Sequence, residues 1–140
     1  MDLGLNAIKP LLVRPDPNHL LELKLVNCIT APRIMENLLE FMIENEVHLR
    51  ALSLVKMSLK HKALQLCSEY LKNSHHLEDL DLSWNNLIPN DFTVMLEILG
   101  ENKTLRSLNL SCNMLIDKND QNNKFDFKFN TALQEYIRNR

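Results

Sequence analysis

Residues 77–87 read LEDLDLSWNNL, and the spacing of their leucines decides the fold. Leu77, Leu80, Leu82 and Leu87, with Asn85 between the last two, spell LxxLxLxxNxL. Leu80 and Leu82 alternate with polar neighbours, so a strand here points both to one face. Leu77 and Leu87 close the same apolar core from either end. Asn85 falls where the chain leaves the strand, and its amide suits the backbone groups that a turn leaves unpaired.

One such unit cannot bury its own core, so copies are required. They are present. Leu105, Leu108, Leu110, Asn113 and Leu115 repeat the pattern 28 residues later. Leu49, Leu52, Leu54, Met57 and Leu59 repeat it 28 residues earlier. Leu20, Leu23, Leu25 and Cys28 stand 29 residues before those, with Ile29 or Thr30 in place of the last leucine. A single LxxLxL means little, whereas a phased series of four is specific.

On these residues the chain resembles the leucine-rich repeat proteins, and its 28/29-residue period resembles their ribonuclease-inhibitor-like class. The resemblance spans essentially the whole chain. It implies an α/β fold: a right-handed α/β horseshoe segment of a leucine-rich repeat solenoid, with a parallel sheet on the concave face and helices on the convex face. Cys28 and Met57 depart from asparagine at the turn position. Cysteine is a common substitute in that family. Methionine lacks a strong donor, so a weaker turn ladder is expected at the second repeat.

At 140 residues the length suits one domain. Apolar residues at 45% supply a core, and charged residues at 24% supply an ordinary surface. The net charge of −2 gives no basic footprint for nucleic acid. No apolar run is long enough to span a bilayer, and the start MDLGLNAIKPLL lacks the basic and apolar regions of a signal peptide. Cys28, Cys67 and Cys112 are odd in number and widely spaced, which argues against a disulfide framework and for a reducing, cytoplasmic setting.

Taken in order, residues 1–140 read as a single domain: a half repeat over 2–18, then repeats at about 20–48, 49–76, 77–104 and 105–140. Residues 2–12 suit a helix that Pro10 ends or kinks, and the chain reads as beginning partway through a repeat. Strands are expected near 21–25, 51–54, 79–82 and 107–110. The helix from Pro32 to Asn45 turns Ile34, Leu38, Leu39, Met42 and Ile43 inward, with Pro32 in its first turn. The next, His61 to Lys72, turns Leu64, Cys67, Tyr70 and Leu71 inward. A third starts near Pro89 and carries Phe92, Met95, Leu96 and Leu99. The last repeat holds an insertion near 117–130, followed by a helix over 131–138. Both ends then fall on convex helices, as terminal caps or as cuts through a longer array.

No catalytic constellation emerges, and neither HExxH, CxxC nor a glycine-rich loop occurs among residues that include only two glycines. His19, His48 and His76 each precede the first leucine of a repeat and should stack in a column. A linear column does not converge on a metal ion, so no metal and no cofactor is expected. The stretch DKNDQNNKFDFKF spaces Asp117, Asn119 and Gln121 like a calcium loop but puts Asn122 and Lys128 where glycine and an acid belong. Phe125, Phe127 and Phe129 alternate there, either to cover the end of the core or to present an aromatic edge.

With the leucines inward, the alternate residues face out. One column is Glu22, Ala51, Asp79 and Ser107; the next is Lys24, Ser53, Asp81 and Asn109; a third is Val26, Val55, Ser83 and Ser111. Asn27, Lys56, Trp84 and Cys112 follow the strands. In the family this concave face commonly grips protein partners. The expected contact residues are Glu22, Lys24, Lys56, Asp79, Asp81, Trp84 and Asn109. Trp84, the one tryptophan, either anchors a partner or lies flat over the sheet. The expectation is a non-enzymatic binding module for a protein partner, with neither nucleic acid nor membrane. The alternative is a structural scaffold element docking end to end with other repeats, as in axonemal or NOD-like-receptor arrays.

Overall fold

The computed structural model describes residues 3–13, 21–28, 31–113 and 138. The insertion near 117–130, its phenylalanines, the helix over 131–138 apart from Arg138, and His19 lie outside them. Elements alternate along the chain: α1 (Leu3–Leu12), β1 (Leu21–Val26), α2 (Pro32–Glu44), β2 (Leu49–Val55), α3 (His61–Asn73), β3 (Asp79–Asp81), a 3-10 turn (Pro89–Phe92), α4 (Thr93–Glu101) and β4 (Ser107–Asn109). Each strand reaches the next through a helix, so all four strands run parallel in the order β1-β2-β3-β4. No described helix is long and apolar enough to cross a membrane.

The core lies between the sheet and the helices. Leu52, Leu54, Leu80 and Leu82 meet Leu38, Leu39, Met42, Leu64, Leu71 and Phe92 in one buried cluster. On α2 the fully buried stripe is Met35, Leu38, Leu39 and Met42. Ile34 and Ile43, expected inward, are only half-buried. The i, i+3, i+4, i+7 stripe centres on Met35 and leaves those two on its flanks. On α3 all four expected residues are buried, joined by Ala63 and Ser68. Pro10 does not end α1, which continues to Leu12. Lys9, in the same helix, holds its ammonium 5.0 Å from the Phe41 ring centre and so ties α1 to α2. Lys62 on α3 pairs with Glu36 and Glu40 on α2 at 3.7 and 3.3 Å.

Asparagine joins successive units from within. Asn85 is 3% exposed. Its Oδ1 accepts the Met57 N–H at 2.8 Å and the Leu59 N–H at 3.4 Å. Its Nδ2 donates to the carbonyls of Leu54 at 2.7 Å, Leu82 at 2.9 Å and Ser83 at 3.1 Å. Asn113 does the same one unit on, accepting from Asn85 N–H and Leu87 N–H and donating to Leu82, Leu110 and Ser111 carbonyls. Met57 breaks the series: the contact its sulfur makes is with the Cys28 thiol, at 4.0 Å. Where this ladder lapses the strands pair further. β1 and β2 match six residue pairs, against three for β2 with β3 and three for β3 with β4.

The turn after each strand passes through the left-handed region. Asn27, Lys56, Trp84 and Cys112 have φ of 49°, 55°, 61° and 57°. A non-glycine residue there costs about 1–2 kcal/mol, asparagine less. Lys56 is exposed, so Lys56→Gly removes strain without loss of packing. Glycine's extra freedom in the unfolded chain offsets part of the gain. The expected result is a rise of about 0.5–1 kcal/mol in unfolding free energy, measured as a higher urea midpoint at unchanged slope.

Candidate functional site

The register sets the face of the sheet opposite the helices. Glu22 pairs with Ala51, Ala51 with Asp79, and Asp79 with Ser107. Lys24, Ser53, Asp81 and Asn109 form the adjacent row. Both rows therefore stand as the leucine alternation requires, and Val26 pairs with Val55 beyond them. By its backbone Ser83 continues that third row, as the Lys56 N–H bond to its carbonyl repeats the Asn27 N–H bond to the Val55 carbonyl, but its side chain is buried, at 4% exposure. The chain turns at Ser83, whose carbonyl accepts the Lys56 N–H at 3.1 Å as well as the Asn85 amide.

A groove of about 360 Å³ crosses this face. Five of the expected contact residues line it: Glu22, Lys24, Asp79, Asp81 and Asn109. Lys56 and Trp84 do not; they lie in the left-handed turns past the strand ends. Trp84 is 58% exposed. Its backbone is pinned by an N–H bond to the Ser111 carbonyl at 3.1 Å.

Two of the groove residues already hold the backbone. Asp81 Oδ1 accepts the Ser83 N–H at 2.9 Å, and its Oδ2 accepts from Asn109 Nδ2 at 3.3 Å. Asn109 Oδ1 accepts the Ser111 N–H at 3.1 Å and the Ser111 hydroxyl at 2.7 Å. Each is an Asx turn closing its strand, a job that the side chain's oxygen does and its charge does not. Asp79, by contrast, is exposed and has no hydrogen-bond or ion-pair partner among the described residues.

The histidine column is half visible. The His48 and His76 rings lie edge to face with centres 4.6 Å apart, close to the strand spacing. Among the described residues no three His, Cys, Asp or Glu side chains are grouped to hold a metal ion. At the same edge of the sheet a second hollow, about 390 Å³, opens between the ends of α2 and α3. Tyr70 and Val47 lie in its wall. The Tyr70 hydroxyl donates to the Val47 carbonyl at 2.8 Å and accepts the Leu49 N–H at 3.2 Å. Sequence reading did not anticipate this hollow, since Tyr70 is marked there only as a core residue of its helix.

Neither models of known protein families nor curated proteins give a match to this chain.

Proposed function

We propose that the chain is a leucine-rich repeat solenoid of the ribonuclease-inhibitor-like kind and works as a non-enzymatic protein-binding module. Its partner lies across the groove of the sheet. One observation carries the reading: in-register polar rows line a groove on the face away from the helices, and a tryptophan 58% exposed follows β3 in the next turn. Parallel sheets are ordinarily covered on both faces. Here the helices pack on one, and a partner would complete the other. The phased leucines and the asparagine ladder support the solenoid. Cys28, Cys67 and Cys112 are all free thiols, which suits a reducing, cytoplasmic setting.

A photo-cross-linking residue at Ser53, in the groove, tests this in cells that express the chain. One at Lys62, on α3, is the control. The expected result is a protein adduct from position 53 and none of the same mass from position 62. Trp84→Ala should weaken that partner's binding by about 30-fold, as at an interface anchor. Alanine takes the same left-handed turn at similar cost, so the fold should persist. If the chain instead docks by its repeat ends, Trp84→Ala leaves association intact and the proposal falls.

A further inference from the structure

Resting on that reading, we infer that the groove takes an extended protein segment bearing a lysine or arginine and a large apolar residue. The charge layout of the sheet points to it. β3 supplies Asp79 and Asp81, two residues apart on one face and so roughly 7 Å from each other. Their registered neighbours are Ala51 and Ser53 on one side and Ser107 and Asn109 on the other, all uncharged. Arg50, on the neighbouring strand β2, is taken up by Glu78 at 3.3 Å, and Lys24 stands two strands away on β1. The carboxylates therefore lack a positive partner in the sheet, and the small side chains of β2 leave space beside them.

The two acids are not equivalent. Asp81 is held in place by the Ser83 N–H and the Asn109 amide. Asp79 is exposed and unengaged among the described residues. A fixed carboxylate and a free one, at this separation, suit a long cationic side chain laid between them. Trp84, 58% exposed, follows Asp81 by three residues across the turn at Ser83. A segment that reaches from the carboxylates to this ring would bring it an apolar side chain. Tryptophan then offers its face to the apolar residue at little entropic cost.

The chain itself supplies the neutral control. Ser107 and Asn109 stand on β4 where Asp79 and Asp81 stand on β3, and Asn109 makes the same Asx turn without a charge. The double variant Asp79→Ser/Asp81→Asn therefore gives β3 the face of β4 while keeping the turn. Circular dichroism and the urea midpoint should be close to those of the parent.

Panning the full chain against a phage library of random short peptides tests the inference, with the double variant and Trp84→Ala as parallel baits. The expected result is enrichment of peptides that pair a lysine or arginine with a large apolar residue. Each should bind the double variant at least about ten-fold more weakly and lose affinity as salt rises. Peptides that lack a basic residue, yet bind the parent and fail on Trp84→Ala, would overturn the basic partner and leave the binding face standing. Peptides that bind all three baits alike would overturn the inference and the groove reading together, as would the absence of any enrichment.

Discussion

Asn85→Ala is expected to cost about 3–5 kcal/mol, a large fraction of the stability of a domain this size. The side chain is buried, so bulk solvent does not reach the groups it serves. Truncation strips the partner from the Met57 N–H at 2.8 Å and from the Leu54 carbonyl at 2.7 Å, and removes the bonds to Leu59, Leu82 and Ser83. Each buried backbone group left unpaired costs about 1–3 kcal/mol, and the losses overlap because the two amide hydrogens serve three carbonyls. Asn113→Ala removes the same kind of bonds from a half-buried site, where solvent can substitute, and should cost about half as much or less. Urea denaturation of both variants checks this. Equal losses would mean that burial does not set the strength of the ladder.

Alkaline solution should produce the other large loss. Burial pushes the Cys67 thiol from 9.0 up to about 12. Burial also pushes the Tyr70 hydroxyl from 10.0 up to about 12, while bonds with Leu49 and Ser74 pull it back. Both groups hold their protons more tightly when folded than when unfolded. Their contribution is whole below pH 9 and is lost as the pH rises through 9 to 12. For Cys67 the rise corresponds to about 4 kcal/mol, and for Tyr70 to about 2–3 kcal/mol. The urea midpoint should therefore stay level up to about pH 9 and then fall steeply. Lysines also discharge in this range, so the comparison that matters is with Cys67→Ala. That variant should begin lower, through lost packing, and fall less between pH 9 and 10. Parallel curves for the two proteins would place the alkaline loss elsewhere.

Much of the arrangement could be read from the leucines. Their alternation in residues 52–54 and 80–82 fixes which side chains share a face, and the observed pairing of Ala51 with Asp79 and of Ser53 with Asp81 follows from it. The asparagine phase likewise placed Asn85 and Asn113 against the turns, and the lapse at Met57 came where a methionine lacks donors. What could not be read depends on closure in three dimensions. Nothing about lysine, tryptophan or cysteine signals a left-handed residue, yet Lys56, Trp84 and Cys112 adopt it because each strand must bend the same way at the same place. Lys56 and Trp84 follow the strands, as the sequence places them, and neither lines the groove. The same bend buries Ser83, which period-two alternation alone puts outside. The Asx turns at Asp81 and Asn109 were hidden for a related reason. An aspartate in a strand pattern reads as surface charge until the next turn is seen to need its oxygen.

The asparagine ladder has a direction. Asn85 finishes the turn at Met57 and Leu59, in the unit before its own, and Asn113 finishes the turn at Asn85 and Leu87. The natural building block is thus offset from the leucine period. A single unit cut out at Leu49 and Leu77 would leave its own turn amides bare, whereas a piece carried on through Asn85 brings its own completion. Anyone lengthening, shortening or transplanting these units should cut downstream of the following asparagine. By contrast, among the described residues no side-chain amide crosses from the Met57 turn to the Cys28 turn before it, and the longer pairing of β1 with β2 holds that boundary instead.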